Sequence, residues 1–397
     1  MIDYMEYILR LFYENTGWNT DNLYSFLCQS SRNILDFHVP KGLRLNVASS
    51  PSNNFALSYR LSLSPVLNGS IAYLVTSCCL DGPRNSHTIS MNRMAEVYHQ
   101  VQEFSGQKKT WNQIYPSKQR GMDYLLGIKG YNTVDFLFYG RMYLPELLLE
   151  GLYAKKLSPT KQFILLCFND PKKNDGSTVT AQFQHNVGKW STEYTFNTNE
   201  AMFGFRGLWN FGEVPRKMSI DGKQHEELTS MSNNGQLSIG TELYYGILHK
   251  TGGLSTALRF TTLPSYLKNP LTMTLALNPV MGHVSAAYSI KATDDCSLSS
   301  RFNFNMFSYE SSLDIGFELW RRSQLSELSL PEISPNLFVP FYPRTNIIKL
   351  STGSKKNVRV LWEWRYKSFL CSFGAIFDFN SSLSLLKFFG LEFQYFS

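Results

Sequence analysis

Along most of this chain, large apolar side chains recur at every second position and polar ones fill the gaps. Val358, Val360, Trp362, Trp364 and Tyr366 alternate with Arg359, Glu363, Arg365 and Lys367, and because successive strand side chains point to opposite faces, one face is wholly β-branched or aromatic. Phe369, Cys371, Phe373, Ala375, Phe377 and Phe379 stand opposite Ser372, Gly374 and Asp378 in the next segment. Upstream, Leu313, Ile315, Phe317 and Leu319 back onto Asp314, Gly316 and Glu318, and Leu298, Phe302, Phe304 and Met306 onto Ser299, Arg301, Asn303 and Asn305. Leu237, Ile239, Leu243 and Tyr245 face away from Ser238, Gly240 and Glu242, and Phe55, Leu57, Tyr59, Leu61 and Leu63 repeat the device near the start. The last strand runs almost to the final residue: Phe388, Gly390, Glu392 and Gln394 alternate with Phe389, Leu391, Phe393 and Tyr395.

Alternation alone does not say which face is wet. A soluble sandwich buries the apolar face, whereas a membrane barrel turns it to lipid and lines its lumen with the polar one. Arg and Lys beside Glu and Asp in strand after strand suit a hydrated lumen wall. Aromatics, 15% of the chain, crowd strand ends at Trp190, Tyr194, Trp209, Tyr244, Tyr245 and Trp320, where membrane interfaces favour amphipathic rings. A chain of 397 residues of near-continuous strand also exceeds one ordinary sandwich. The barrel is therefore the expected fold, with a tandem of soluble β domains as the alternative.

Three stretches break the rhythm. Tyr4, Ile8, Leu11 and Phe12 form an apolar helical face opposite Asp3, Glu6, Arg10 and Glu14, with Gly17 as the stop, so a short amphipathic helix is expected to plug the barrel or pack on its outside. Residues 81 to 135 carry a helical pattern (Met91, Met94, Val97, Val101, Phe104) and then the basic run Gln107 to Arg120, reading as a large loop. Ser323 to Lys356, within a loop assigned to 321–357, holds Pro331, Pro335, Pro340 and Pro343 and is disfavoured as a central strand. Asn68-Gly69 and Asn234-Gly235 predict tight hairpins. The resulting division is an N-terminal segment over 1–30 and a single barrel over 31–397, with room for about nineteen strands of about 9 to 11 residues.

The net charge of +7 is a mild basic bias and no nucleic-acid signature. No segment reaches the roughly 20 apolar residues of a membrane helix, which leaves a closed sheet as the means of crossing a bilayer; the mean hydropathy of −0.21 fits strands with one wet face. Asp3 and Glu6 stand where a secretory signal needs basic residues, so targeting information is expected inside the chain. No catalytic constellation emerges, and neither enzymatic activity, a cofactor nor a metal is expected. The six cysteines (Cys28, Cys78, Cys79, Cys167, Cys296, Cys371) contain no C-x-x-C, the seven histidines, His283 among them, lack ligand spacing, and Gly204 to Gly207 lacks the third glycine of a dinucleotide fingerprint. The sequons at Asn68 and Asn380 have no secretory context.

The ending Gly390, Phe393, Tyr395 resembles the C-terminal insertion signal of mitochondrial outer-membrane barrels, departing from it at Phe388, where that signal has a polar residue. Leu67 to Ser70 leading into Tyr73-Leu74, Phe138 to Tyr143 with Pro145, Lys156 to Pro159, Leu277 to Pro279 followed by Gly282-His283, and the Phe393-Gln394-Tyr395 ending together resemble, in order, the fungal mitochondrial distribution and morphology protein 10 family. Nearly the whole chain is spanned, with a shorter loop between 321 and 357. The resemblance implies a nineteen-stranded, multi-pass barrel of the mitochondrial outer membrane at contacts with the endoplasmic reticulum. It also implies two associations: with lipid-binding SMP-domain subunits of the endoplasmic reticulum–mitochondria encounter structure (ERMES), and with the sorting and assembly machinery (SAM) during maturation of the import translocase. The expected partners are those subunits, translocase components and membrane lipids. The expected role is a scaffold, with Tyr73 as a candidate partner contact and a belt tyrosine as its plainer reading. A porin-type metabolite channel is the alternative.

Overall fold

Among the described residues the two-residue period is realised as nineteen strands in one sheet that closes on itself, because β1 (Gly42–Ser52) pairs on one side with β2 (Phe55–Ser62) and on the other with β19 (Leu386–Phe396). The remaining strands follow as a meander: β3 (Asn68–Thr76), β4 (Phe136–Leu144), β5 (Leu148–Ser158), β6 (Lys161–Asn169), β7 (Ser177–Asn186), β8 (Trp190–Asn197), β9 (Met202–Phe211), β10 (Gly235–Gly246), β11 (Thr251–Thr262), β12 (Leu271–Asn278), β13 (His283–Thr293), β14 (Cys296–Asn305), β15 (Ser311–Arg322), β16 (Arg344–Gly353), β17 (Asn357–Tyr366) and β18 (Phe369–Asp378). The computed structural model describes residues 1–80, 82–98, 135–173, 176–211, 235–262, 269–322, 344–354, 357–379 and 386–397. Consecutive strands are antiparallel. An odd number of strands forces one parallel pair on closure, and it falls between β1 and β19. Closure satisfies the backbone without leaving an edge.

Registers put the two faces of the pattern on opposite sides of the wall. Leu45, Tyr73, Leu243, Leu275, Phe302 and Trp362 all point outward and are each more than a third exposed, a surface that suits lipid. Inward, Glu193 meets Arg206, Ser238 meets Arg259, and Glu318 meets Lys349 across neighbouring strands. Two of the aromatics assigned to a membrane belt belong to this inner face. Trp320 shares its phase with Glu318, is 8% exposed, and donates its Nε1–H to Glu318 Oε1 at 2.6 Å; Tyr244 shares its phase with Glu242.

Other expectations shift by a few residues. Asn68-Gly69 opens β3 instead of forming the turn, which uses Leu63 to Leu67. Gly235 is the first residue of β10 and pairs with Thr262, so no two-residue hairpin forms there. The proline-rich stretch ends sooner than expected, since β16 starts directly after Pro343; the four prolines, the Gln107 to Arg120 run, Asn234 and the Asn380 sequon lie outside the described residues. The helical pattern beginning at Met91 yields only α3 (Met91–Met94). Ala95 is already extended because the backbone beyond it bonds to the wall: Glu96 O accepts from Lys349 Nζ, and Tyr98 N–H donates to Glu318 Oε2. Val101 and Phe104 lie outside the described residues.

The lumen is filled by the segment that precedes β1 and by the stretch that follows β3. Helix α1 (Tyr4–Thr16) lies inside the barrel, its Ile8, Leu11 and Phe12 at most 1% exposed against Ala48, Ala56, Ala72, Leu137 and Ala154 of β1 to β5. It stops at Gly17, left-handed at φ 67°, whose N–H donates to Glu14 O at 3.1 Å, as helix C-termini favour. Asp3 at its N-cap is not solvated but pairs with Arg60 at 3.2 Å and with Arg141. Residues 77–80 and 82–98 pack beside it, Ile2 N–H donating to Met94 O at 2.8 Å.

Candidate functional site: strapped lumen, closing seam and outer-wall aromatics

Beyond Gly17 the chain follows the inner wall nearly all the way round, touching the strands almost in their order. Asn22 Nδ2 donates to Asn186 Oδ1 (2.7 Å) on β7, and Asn210 on β9 donates to Asn22 Oδ1 at 2.5 Å. Ser25 Oγ donates to Glu193 Oε2 (2.9 Å) on β8, and Arg259 on β11 donates to Asp21 O at 3.1 Å. Helix α2 (Gln29–Leu35) packs on β13 to β16. There Lys349 Nζ donates to Asn33 O at 3.1 Å, and Arg301 grips Asp36 with two bonds of 2.5 and 2.9 Å. Arg359 on β17 reaches Leu35 O, Val39 lies on β18, and Pro40 lies on β19 just before β1 begins. An irregular segment carries backbone groups that no ladder satisfies, so it needs polar partners on the wall. That explains why Glu193, Arg259, Glu318 and Lys349 are at most 2% exposed inside a barrel.

These charges are spent on structure. Arg206 pairs with Glu242 at 2.6 Å and Glu193 at 3.8 Å, and Lys349 with Glu318 at 3.8 Å. Among the described residues no group of His, Cys, Asp and Glu has the geometry to hold a metal. Burial raises the Tyr13 and Tyr24 phenols to about 12 and the Cys78 thiol to about 11, away from the range in which a nucleophile or general base works at neutral pH. His283 opens β13 opposite Asn305 on the lumen side.

The seam brings together the residues of the terminal motif. Gly42 pairs with Gly390, and the register runs to Ala48 with Phe396; Ser397 N–H then donates to Ala48 O at 3.0 Å. A Cβ on Gly390 would lie 2.5 Å from Pro40 O and 2.7 Å from Gly42 O, so only glycine fits under the chain that enters β1. Phe393 and Tyr395 face outward, Tyr395 with its ring 5.5 Å from Phe369. Phe388, at the polar position of the motif, faces the lumen with Lys41 Nζ 4.6 Å from its ring centre; the motif's polar partner is supplied from across the seam, as a cation over an aromatic face.

On the outer wall Tyr73 lies in the middle of β3, paired with Leu57 and Gly140, 48% exposed and stacked on Phe55 at 6.2 Å. Phe138 and Tyr153, stacked at 4.5 Å, extend this strip over β4 and β5. A second aromatic surface was not singled out from the sequence. Phe183, Tyr194, Phe196, Phe203, Phe205 and Tyr245 of β7 to β10 line an outer groove of about 670 Å³; alternate aromatics on β8 and β9, flanked by one on each neighbouring strand, were its signal.

A closed sheet, nineteen-stranded over the described residues, with an apolar outer wall and a lumen occupied by its own chain defines a membrane β-barrel. The family model for mitochondrial distribution and morphology protein 10 matches residues 1–336 and 342–397. Relatives of that name from Phaeosphaeria nodorum (38% identical over 403 residues) and Laccaria bicolor (34% over 449) are matched over 100% of this chain and 100% of their own length. The Yarrowia lipolytica relative is 35% identical over 396 residues, 100% of this chain and 99% of its own. The chain belongs to the mitochondrial distribution and morphology protein 10 family, a family of mitochondrial β-barrels serving organelle distribution and shape.

Proposed function

We propose that this protein is a scaffold of the mitochondrial outer membrane. It anchors the lipid-binding subunits of the endoplasmic reticulum–mitochondria encounter structure, and it joins the sorting and assembly machinery to aid maturation of the import translocase. The observation that carries this reading is the strapped lumen: inner-wall charges that would suit a solute path are tied to residues 21–36, which leaves the outer wall and the barrel ends as the working surfaces. A rigid barrel fixed in one membrane raises the effective concentration of weakly membrane-bound partners and so turns brief encounters into a tether. The Tyr73 strip, flat, aromatic and half exposed, has the chemistry of an interface hot spot. Gly390, Phe393 and Tyr395 serve as the insertion signal.

Affinity purification from solubilised mitochondria tests the reading: the tether's soluble subunits and the assembly machinery should both co-purify, and Tyr73→Ala should weaken one association more than the other. An artificial linker between the two membranes should restore lipid exchange in a deletion strain but not translocase maturation, which needs the barrel. Metabolite conductance by the purified, reconstituted barrel, together with no repair by the linker, would favour the porin reading instead.

A further inference from the structure

Four inward-facing glycines lie where the strap crosses the wall. A Cβ on Gly240 of β10 would stand 2.5 Å from Tyr24 Cδ2, on Gly316 of β15 3.0 Å from Leu35 Cδ2, on Gly374 of β18 2.6 Å from Val39 Cγ1, and on Gly390 of β19 2.5 Å from Pro40 O. Glycine inside a strand weakens it and marks the close approach of another backbone. Here the approaching chain is the strap at all four sites, and it runs from there into β1. Gly42, the first seam residue, has φ +65° and no room for a side chain, since its Cβ would meet Ser64 O at 1.9 Å. The end of the strap thus runs straight into the start of the seam, and at Gly374, Gly390 and Gly42 the crossing leaves no room for another side chain. The seam is the barrel's only parallel pair among the described strands, and a parallel ladder is the weaker kind per residue.

We propose that residues 18–41 are an internal strap whose seating in this glycine track is required before β19 can close on β1. Val39 on Gly374 and Pro40 on Gly390 hold the first residue of β1 against the terminal strand, so Gly390 acts in closure itself, apart from any part in recognition by an assembly machine. Strap seating and seam formation are then coupled around the whole ring, and damage to the track at β10, nine strands from the seam in either direction, opens the seam.

The test uses the full-length protein assembled in mitochondria, with its six native cysteines replaced by alanine. Leu43→Cys and Leu391→Cys, register partners on the outward side of the seam, report closure through a bifunctional thiol reagent. Gly240→Ala should lower the cross-linking yield about fivefold or more, as overpacking of a filled site predicts. Adding Tyr24→Ala, which removes the ring that the new methyl group meets at 2.5 Å and leaves only the milder contact with Gly207 O at 3.1 Å, should restore it even if Gly240→Ala alone fails to accumulate. Wild-type yield in Gly240→Ala, or failure of Tyr24→Ala to rescue, overturns the coupling, because damage confined to β10 would be neither transmitted to the seam nor relieved by a change in the strap.

Discussion

The inner wall is two surfaces with one underlying period. Beneath the apolar face of α1, strands β1 to β6 present Ala48, Ala56, Ala72, Leu74, Ala154 and Ile164, with the wall's cations Arg60, Arg141 and Lys156 confined to the two ends of the helix, at Asp3 and Thr16 O. Beneath the strap, β7 to β17 present Asn186, Glu193, Asn210, Arg259, Glu318 and Lys349. The difference follows from what lies on each. A helix has satisfied its own backbone and offers only an apolar face, so it needs shallow apolar seats; an irregular chain brings unsatisfied carbonyls and amides and needs polar partners. Lumen chemistry in this barrel is therefore set by the occupant rather than by water.

The severest break of that comparison is a charge under the helix. Ile8 is 0% exposed, and Ile8→Asp places an unpaired carboxylate among alanines, at an expected loss above about 4 kcal/mol. Thermal unfolding of the purified protein in detergent, followed by protease cleavage near residue 17, should show the helix released. Wild-type protection of α1 would mean that the β1 to β6 seat is not what holds it.

The polar sector should respond to the opposite change. Lys349→Met strands Glu318, buried at 0% exposure, and removes the donor to Asn33 O and Glu96 O; about 3 kcal/mol should be lost. Adding Glu318→Gln should recover part of it, since the uncompensated charge disappears. Equal instability of the single and double variants in denaturant titrations would show that the carbonyl bonds, not the ion pair, matter there.

How much of this was legible follows the same division. Period two marked the wall strands, and the phase of Trp320 with Asp314, Gly316 and Glu318 already put it inside; reading it as a belt aromatic weighed composition above phase. The apolar face of α1 was visible, but such a face says only that something covers it, and the covering residues are four alanines and Leu137, one on each of five strands. The strap has no period to detect. Its one local trace is the set of glycines in the inward phase, Gly240, Gly316, Gly374 and Gly390, and each is explained only by a residue hundreds of positions away or on another strand. Prolines hid the start of β16 because a strand can open directly after Pro343, and one turn of helix at Met91 ended where wall side chains captured its backbone.

Outer and inner faces can be set against each other on β14. Phe302 is 46% exposed and points outward, while Asn303 faces the lumen and bonds Ser285 and Ser312. Phe302→Arg should cost about 2 kcal/mol for a strand in lipid, and Asn303→Arg considerably less. Folding assays in bilayers of matched thickness give both values; equal costs would remove the lipid assignment of the outer wall.

The smallest effect lies where the strap becomes the seam. His38 sits between α2 and β1 with its Nε2 3.0 Å from Arg44 Nη1. Burial first, and then the Arg44 charge, hold its imidazole below the ordinary 6.5, with Arg60 adding to the effect and Glu392 opposing it. The folded chain thus prefers the neutral ring. Stability from this source is fully present above 6.5 and is lost as pH falls through that value toward the lower folded pKa, because the unfolded chain binds a proton that the folded one resists. Protease sensitivity at residues 36–44 should therefore rise on the acid side of 6.5 in the wild type and stay flat in His38→Gln, with the α1 region unchanged in both. A pH response shared by α1 would mean that the two occupants of the lumen are released together, and the contrast between their seats would not extend to their dynamics.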